Sequence, residues 1–326
     1  MLNNKTILIT GGTGSFGRKC VSILLKKHNP KKIIIYSRDE LKQWEMSQIF
    51  NKYEKKLRFF IGDVRDLERV KLATKNVDYI IHAAALKHVP AAEYNPQECI
   101  KTNVNGAENI ITASITNKVK KVIALSTDKA VSPVNLYGAS KLAADKLFIS
   151  ANNLVGANEP TRFSIVRYGN VIGSRGSVLP FFKKYLKEKK NYFPITNKEM
   201  TRFWISLDQG VKFVLDMFAK AKGGEIFIPK MPSIKIIDLA KSLNNKFKLK
   251  IIGIRPGEKI HESLCIKEES NHTYEFKNYF MISPSISFYK FKVPTQNGKK
   301  VKKDFEYNSG NNKDFLNLKE IKKLLA

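Results

Sequence analysis

The chain has 326 residues, 43% of them hydrophobic, and a formal net charge of +29 at pH 7. That length suffices for one large core or for two lobes. The chain contains no run of about eighteen apolar residues, which argues against a membrane-spanning helix and a membrane partner. The first apolar run, Thr6–Thr10, is too short for a signal peptide and ends in glycines, so we expect a cytoplasmic protein.

The positive charge by itself would suggest nucleic-acid binding, but its make-up argues against that interpretation. Of the 58 basic residues, 48 are Lys and only 10 are Arg, and they are spread along the chain without an RNA- or DNA-binding motif. We therefore predict no nucleic-acid partner and a solvated basic surface that attracts anionic substrates. Cys20, Cys99 and Cys265 have no metal-ligand spacing, so we predict packing roles, a reducing compartment and no metal site.

Strands and helices alternate through the first half of the chain. Apolar runs predict strands at residues 5–10, 32–36, 57–61, 77–82, 121–125 and 162–167. Helical spacing of apolar residues predicts helices at 16–27, 40–51, 90–117 and 135–152. Such alternation implies right-handed crossovers and a parallel sheet that is buried on both faces. We therefore predict an α/β fold with a Rossmann-like, doubly wound parallel sheet.

After Arg167 the pattern changes to Gly-, Pro- and Asn-rich loops between shorter elements. We predict that residues 1–168 form a dinucleotide-binding domain and that 210–235 return to it, because 210–220 has the spacing of a helix that can pack on the sheet. The other segments, 169–209 and 236–326, are predicted to form a smaller C-terminal substrate-binding lobe. The polar stretch 290–312 is expected to be loosely ordered.

A glycine-rich segment, residues 10–17, follows the first predicted strand and opens the first predicted helix. Gly11, Gly14 and Gly17 stand three residues apart, which permits a tight turn and a close approach of the backbone to a pyrophosphate. We therefore predict a dinucleotide site in this loop. Its other predicted cofactor contacts are Thr13, Ser15 and Phe16.

The tip of the second strand carries Ser37 and Arg38, where NAD-preferring folds usually place a carboxylate for the ribose 2′-hydroxyl. An arginine there can pair with a 2′-phosphate and stack on adenine. We therefore predict NADP as the cofactor. Asp39, one residue later, keeps NAD as an alternative, unless it caps the following helix.

Two further strand ends complete the predicted cofactor site. Asp63 and Val64 follow the third strand, where a carboxylate can accept a hydrogen bond from the adenine amino group; a helix cap is the alternative role. Ala83 and Ala84 follow the fourth strand and are small enough for the backbone to approach the cofactor, although tight core packing would favour the same residues.

Tyr137 and Lys141 lie four residues apart and therefore share one face of a predicted helix. A phenol has an unperturbed pKa of about 10, and a neighbouring ammonium lowers it toward the range of a useful base. Such a pair can remove a proton from a sugar hydroxyl while hydride leaves the same carbon. Thr127, Asp128 and Lys129 add a hydroxyl, a carboxyl and an amine just past the fifth strand, at the ligand-binding edge of the sheet.

These elements together resemble the extended short-chain dehydrogenases/reductases that act on nucleotide sugars. A closer resemblance, from residue 5 to the C-terminal region, is to the inverting UDP-N-acetylglucosamine 4,6-dehydratases that begin pseudaminic acid synthesis, a route to flagellin glycosylation. The segments that carry it are YSRDE at 36–40, AALKHVP at 84–90, STDK at 126–129, RYGNV at 167–171, MTRF at 200–203 and RPGEK at 255–259.

One position separates this chain from the retaining 4,6-dehydratases, which typically have a glutamate where it has Lys129. In the inverting family the lysine is the proposed base for the sugar C5 proton. An ammonium becomes a base only when its pKa is lowered, and we expect Lys141 and the positive nicotinamide to lower it. The alternative role for Lys129 is a structural partner of Asp128.

The resemblance implies a role for each residue of the catalytic group. Tyr137 would remove the C4-hydroxyl proton, Lys129 the C5 proton, and protonated Asp128 would protonate the departing C6 hydroxyl. Thr127 would hydrogen-bond the C4 oxygen, and Lys141 would hold the nicotinamide ribose. Which group returns a proton to C5 does not follow from the sequence.

The resemblance also implies binding residues, for which surface or inter-lobe ion pairs are the alternative roles. Asn103 would fix the active-site helix and the cofactor ribose, or else cap buried backbone. The implied substrate contacts, of which Lys87 also counts as a cofactor contact, are Lys87, Asn170, Leu179, Lys183, Thr196, Arg202, Arg255 and Glu258. A homo-oligomer, with a hexamer as one candidate, is implied as well.

Several readings compete with dehydration of UDP-N-acetylglucosamine. A retaining dehydratase, a 4-epimerase or a simple reductase would use the same fold and cofactor. A non-catalytic, basic NADP-binding protein that acts on nucleic acid would explain the charge of +29. That last hypothesis gives no role to Thr127, Asp128, Lys129, Tyr137 and Lys141.

Overall fold

The computed structural model describes residues 1–156, 159–174, 176–286 and 298–325. In the first half, strands rich in Ile and Val alternate with helices, as the apolar spacing predicts. The strands are β1 (Thr6–Thr10), β2 (Lys32–Ser37), β3 (Leu57–Ile61), β4 (Tyr79–His82), β5 (Lys121–Thr127) and β6 (Arg162–Tyr168). The helices are α1 (Ser15–Lys27), α2 (Glu40–Ile49), α3 (Leu67–Ala73), α4 (Val89–Tyr94), α5 (Pro96–Ile100), α6 (Gly106–Thr116) and α7 (Leu136–Val155).

The second half is built from shorter elements. Its strands are β7 (Asn170–Val171), β8 (Tyr192–Ile195), β9 (Thr201–Ile205), β10 (Ile226–Pro229), β11 (Ser233–Lys235), β12 (Lys248–Ile251), β13 (Ser263–Cys265), β14 (Thr273–Glu275), β15 (Tyr279–Ile282), β16 (Lys299–Lys300) and β17 (Tyr307–Asn308). Its helices are α8 (Val178–Lys187), α9 (Leu207–Lys220), α10 (Ile236–Leu243) and α11 (Leu318–Leu325).

The main sheet has the strand order β16-β14-β15-β10-β6-β5-β4-β1-β2-β3. From β10 to β3 all neighbouring strands are parallel, and β14, β15 and β16 add antiparallel pairs at the far edge. This topology confirms the predicted Rossmann-like doubly wound sheet. The strand order reverses between β1 and β4, and such sheets bind ligands outside the carboxyl ends of the strands at that point.

Helices cover both faces of the sheet, and neighbouring residues of a strand point to opposite faces. Ile7 and Ile9 pack with residues of α1 and α9 in one core cluster, whereas Leu8 packs with residues of α6 and α7 in another. Both clusters pack the strands against helices. The loops at the carboxyl ends of β1, β4 and β5 therefore extend from a well-packed sheet.

The predicted helix 90–117 is wrong as one element, and α3 was not predicted. The chain forms α4 and α5 on either side of Asn95, then a π-helical turn at Lys101–Asn105, and then α6. Pro96 starts α5 because its ring cannot continue the helix before it. The π-helical turn buries Asn103 at the active-site side of the sheet.

Part of the second half joins the main sheet. Helix α9 packs on α1, and β10 pairs in parallel with β6, so 207–229 joins the main sheet and its helices. The segment 273–282 also pairs there, whereas α8, β8 and α10 share a separate apolar cluster. The exact division into two lobes stays a prediction. Within the described residues, no helix combines the length and apolar character that crossing a bilayer requires.

The expectation of loose order for 290–312 is wrong for the described part of that stretch. Residues 290–297 lie outside the described residues. Beyond them, β16 pairs with β14, and β17 pairs with β13. The Tyr307 hydroxyl donates to the Met231 carbonyl at 2.9 Å, and its ring packs in a tilted arrangement against the rings of Phe203 and Phe280. A polar sequence is thus held in place by a few buried anchors.

Candidate active site

The glycine-rich loop lies at the switch point of the sheet. Gly11 has a φ of +63°, and a Cβ there would lie 3.0 Å from the Ala83 carbonyl oxygen. A Cβ on Gly17 would lie 2.2 Å from the Gly12 carbonyl oxygen, so only glycine lets α1 start this close to the loop. No described side chain caps α1 at Gly14, and its first turn carries no acidic residue. The loop therefore offers free N–H groups to a diphosphate.

The side chains around this loop tie the ends of β1, β2 and β4 together. Thr13 donates from its hydroxyl to Ser37 Oγ at 3.2 Å, and both side chains are buried. The backbone N–H groups of Ala83 and Ala84 donate to Thr10 Oγ1 at 3.1 Å each. The predicted cofactor residues of three strand ends thus meet in one cradle. Of the remaining loop residues, Ser15 is exposed and Phe16 is partly buried.

At the end of β2, Asp39 is the N-cap of α2, because its carboxylate accepts from the Lys42 backbone N–H at 2.9 Å. This is the alternative role that the sequence left open for it. Arg38 is half exposed and lies 3.4 Å from an oxygen of Asp63. Asp63 also binds Arg65 at 2.7 Å and leaves the capping of α3 to Asp66.

Two predicted cofactor residues lie deeper. Val64 is buried against Gly106 at the start of α6. Asn103 is 1% exposed, and its amide exchanges two hydrogen bonds with the backbone of Leu86, at 2.8 and 2.9 Å. It also donates to Ser140 Oγ at 2.9 Å and so links the loop after β4 to α7. Both roles considered for Asn103, capping backbone and fixing the helix, are therefore compatible with its position.

The catalytic turn, residues Thr127 to Ala130, begins at the last residue of β5. The Thr127 hydroxyl donates to Asp128 Oδ1 at 2.9 Å, and Lys129 Nζ donates to the same oxygen at 3.0 Å. Asp128 is fully buried, and its Oδ2 has no hydrogen-bond partner among the described residues. A buried carboxyl oxygen without a partner costs free energy, so its presence suggests a ligand group at this position.

Helix α7 brings Tyr137 and Lys141 against this turn, and both side chains are buried. The approach is so close that a Cβ on Gly138 would lie 2.1 Å from the Lys129 carbonyl oxygen. Asn135 caps the helix by accepting from the Gly138 N–H at 2.8 Å. Tyr137 interacts with the Thr127 hydroxyl and with the charges of Lys129 and Asp128, so these four predicted catalytic residues form one group. Lys141 lies one turn farther along α7, where the charge of Asp145 acts on it.

The charges of this group are set by burial and by mutual contact. Burial raises the pKa of Asp128, and the neighbouring carboxylate of Glu262 acts in the same direction. Burial also raises the pKa of Tyr137 to about 12, although the Lys129 ammonium and the Thr127 hydrogen bond oppose it. Burial lowers the pKa of Lys141. The pKa of the Tyr137 phenol was expected to be lowered, but the surrounding protein groups leave it raised.

Lys129 shows the largest departure from expectation. Burial acts to lower its pKa, but the carboxylates of Asp128 and Glu262 outweigh burial and raise it. Its Nζ lies 3.0 Å from Asp128 Oδ1 and 3.4 Å from Glu262 Oε1. The protein's own groups thus favour the ammonium, and the structural pairing with Asp128 is present. A role as base requires that Lys129 first release a proton.

A segment of the second half, residues 255–262, crosses over the catalytic turn. The Asn135 amide donates to the Gly257 carbonyl at 2.8 Å, and Lys259 Nζ donates to the Val131 carbonyl at 2.7 Å. The Glu262 carboxylate lies beside Lys129. These contacts place the predicted substrate residues Arg255 and Glu258 near the catalytic group.

Glu262 and Asp145 were not predicted as site residues, and Lys259 was noted only as part of the segment RPGEK. Asp145 accepts from Ser126 Oγ at 2.6 Å and lies 3.6 Å from the buried Arg167, one turn along α7 from Lys141. Its four-residue spacing from Lys141 on a helix was a usable signal. Glu262 offered none, because it lies in an irregular segment more than a hundred residues from Lys129 in the chain.

The predicted substrate residues differ in their surroundings. The side-chain oxygen Oδ1 of Asn170 is buried and accepts no hydrogen bond from the described residues. A residue that contacts a ligand would have such an unused acceptor. Arg202 donates to the backbone carbonyls of Thr201, Lys259 and Ile260 at 2.6 to 3.0 Å, so protein groups already hold its guanidinium. Arg255 is half exposed and lies 3.8 Å from Glu258.

The other predicted substrate residues are spread over α8, the loop after β8 and the loop after β4. Leu179 is buried in the apolar cluster of α8, and Lys183 is exposed on the same helix. The Thr196 hydroxyl contacts the Met200 sulfur at 3.2 Å. Lys87 is exposed in the loop between β4 and α4. Binding roles for all eight predicted substrate residues stay predictions.

Known proteins resemble the chain over almost its whole length. The family described as "Polysaccharide biosynthesis protein" matches residues 7–284. The protein named "UDP-N-acetylglucosamine 4,6-dehydratase (inverting)" of Campylobacter jejuni subsp. jejuni serotype O:23/36 (strain 81-176) is 59% identical, over 98% of this chain and 97% of that protein. The protein named "UDP-glucose 4-epimerase" of Rickettsia bellii (strain OSU 85-389) is 45% identical, over 100% of this chain and 96% of that protein.

Solved structures agree. "Pen from Bacillus thuringiensis" superposes with a TM-score of 0.90 at 38% identity, covering 100% of this chain and 98% of that one. DesIV, the dTDP-glucose 4,6-dehydratase of Streptomyces venezuelae solved with NAD and TYD, has a TM-score of 0.70 at 21% identity, covering 87% and 93%. The latter likeness concerns the fold alone.

The whole-length matches and the glycine loop, catalytic turn and Tyr137–Lys141 pair point the same way. They confirm the resemblance that the sequence motifs indicated. The chain belongs to the polysaccharide biosynthesis protein family of extended short-chain dehydrogenases/reductases, alongside the inverting UDP-N-acetylglucosamine 4,6-dehydratases.

Proposed function

We propose that the chain is a C5-inverting UDP-N-acetylglucosamine 4,6-dehydratase, a hydro-lyase that makes UDP-2-acetamido-2,6-dideoxy-β-L-arabino-hex-4-ulose. The observation that carries the proposal is the contact of 3.0 Å between Lys129 Nζ and buried Asp128, facing Tyr137. An acid, a base and a phenol then meet in one group. The 59% identity to a protein of that name supports the same substrate.

The catalytic residues would act in consecutive steps of the dehydration. Tyr137 would take the C4-hydroxyl proton, with Thr127 bonded to the C4 oxygen. When bound, NADP would accept hydride from C4 and return it to C6, and its oxidised nicotinamide would bring a positive charge to the site. The C4 ketone makes the C5 proton acidic enough for Lys129 to remove.

Asp128 and Lys129 can reach the forms that these steps need by one proton transfer. Moving a proton across their 3.0 Å contact turns a carboxylate and an ammonium into a carboxylic acid and an amine. Burial favours the neutral pair over the ion pair. Lys129 would then take the C5 proton, while Asp128 gives its proton to the leaving C6 hydroxyl. The ion pair is restored when water departs.

We propose NADP over NAD because of the end of β2. Asp39 is engaged as a helix cap, which leaves no free carboxylate there for a ribose 2′-hydroxyl. The exposed pair of Arg38 with Asp63 contributes little stability, about 0–1 kcal/mol, so the guanidinium can turn to a 2′-phosphate at small cost. Asp63 keeps Arg65 as a partner.

The biological setting is proposed on the family resemblance. It comprises a cytoplasmic homo-oligomer, with a hexamer as one candidate, and the first step of pseudaminic acid synthesis for flagellin glycosylation. The basic surface would attract the anionic nucleotide sugar.

A 4-epimerase is the second candidate, because a relative of that name is 45% identical over the whole chain. Incubation with UDP-N-acetylglucosamine in deuterated water separates the two. Inverting dehydration gives a 4-keto-6-deoxy sugar with deuterium at C5 and L-arabino configuration, which NMR detects. A product that keeps its C6 oxygen and takes up no deuterium would show epimerisation, and D-xylo configuration would show retention.

A further inference from the structure

Glu262 is a buried carboxylate that the chemistry above does not use. It is 2% exposed and lies among three cations: Lys129 at 3.4 Å, Lys259 at 3.3 Å and Arg202 at 3.9 Å. Its backbone is fixed by Ser309, which donates to its carbonyl at 2.8 Å and accepts from its N–H at 2.9 Å. The carboxylate is therefore held in place from outside the catalytic turn.

Glu262 is held as an ionised carboxylate. Burying a carboxylate costs several kcal/mol unless it is well paired. Burial acts to raise the pKa of Glu262, but the cations Lys129, Arg202 and Lys259 outweigh burial and lower it. A negative charge therefore lies 3.4 Å from the amine that the proposed function uses as the base.

The charges that face Lys129 come from four elements. Asp128 lies on its own turn, Tyr137 on α7, Arg202 on β9, and Glu262 on the segment that crosses the turn. Asp128 has to be a neutral acid when it protonates the C6 hydroxyl. At that moment Glu262 is the carboxylate that still faces the amine, and Arg202 opposes it.

We propose that Glu262 is a positioning residue for the C5 proton transfer, which holds Lys129 Nζ beside Asp128 and makes its amine a stronger base. This proposal rests on the proposed function, in which Lys129 removes the C5 proton. A nearby negative charge stabilises the ammonium that forms when the proton arrives. A stronger base transfers faster once it is unprotonated. The amine forms by internal transfer to Asp128 at any pH and, in addition, by loss of its proton to solvent as the pH rises, so removal of the C5 deuterium rises with pH through the second route. The distance of Glu262 from Lys129 therefore sets both the strength of the base and the fraction of it that is unprotonated.

The test compares the pH dependence of C5 proton removal in the full-length enzyme with NADP. The measured rate is the loss of deuterium from UDP-N-acetylglucosamine deuterated at C5. For Glu262→Gln we expect the rise of the rate with pH to move down by about 1–2 pH units, the usual effect of one contacting charge. The plateau rate should fall about three- to tenfold, because the base is weaker. KM should change less than kcat.

Two variants control the comparison. Glu262→Asp keeps the charge, so its rise should stay close to that of the unchanged enzyme. Glu268→Gln removes the same charge from an exposed site in the same region and should change neither the rise nor the plateau. A fall of the plateau in Glu262→Gln with an unmoved rise would overturn the proposal and leave a structural role.

That failure is distinct from failure of the proposed function. If Lys129→Ala still removed the C5 deuterium at an undiminished rate, the assignment of the base itself would be wrong. If Lys129→Ala lost that activity while the Glu262→Gln profile stayed in place, only the role of Glu262 would be refuted.

Discussion

The contact between Gly138 and the catalytic turn gives a sharp test of how the site is built. In Gly138→Ala the new Cβ would lie 2.1 Å from the Lys129 carbonyl oxygen, whereas real contacts of this kind essentially never fall below 3.0 Å. Because both partners are packed backbone, α7 and the turn must separate by about 1 Å. A misplacement of that size can cost about 100-fold in rate. The strain should cost about 1–3 kcal/mol of stability.

The assay is kcat for UDP-N-acetylglucosamine together with urea unfolding. Gly210→Ala is the matched control, since the same change in α9 meets only the Ile205 side chain, at 3.9 Å. It should leave kcat unchanged and stabilise the protein by up to about 1 kcal/mol, as alanine favours helix. If both variants behaved alike, the claimed closeness of α7 to the turn would be refuted.

Three other changes test the remaining parts of the argument. Lys129→Ala should abolish deuterium uptake at C5 while NADP still binds, and equilibrium dialysis with the cofactor controls for folding. Arg38→Ala should weaken NADP binding far more than NAD binding, because only NADP carries the 2′-phosphate; equal losses in fluorescence titrations would contradict NADP preference. His82 is buried beside Thr10, and burial lowers its pKa from 6.5 to about 3, with Lys141 acting in the same direction. The unfolded histidine binds its proton first, so the free energy of unfolding should fall below pH 6.5 by up to about 1.4 kcal/mol per pH unit. His82→Gln should flatten that dependence in urea unfolding between about pH 7 and pH 4, and an equally steep curve would point to other groups.

Much of the fold could be predicted because its signals are local. Strand β2 carries a continuous run of isoleucines, β3 is mostly apolar or aromatic, and α1 and α7 carry helical spacing, so a short window of sequence specifies each. The glycine loop was recognisable for the same reason. The helix 90–117 failed because Pro96 and the π-helical turn break a pattern that remains apolar throughout.

Alternation of strands and helices and the position of each motif after a strand were enough to predict a group of residues at the carboxyl ends of β1, β4 and β5. The charges of those residues could not be predicted, because they depend on contacts made by distant segments. Glu262 reaches Lys129 across 133 residues of chain, a contact that no periodicity encodes. Asp128 and Glu262 together reverse the expected direction of the pKa shift of Lys129. A pKa shift depends on burial and on the distances between charges in space. The shifts in this site therefore follow only from the folded position of the segment 255–262 over the catalytic turn.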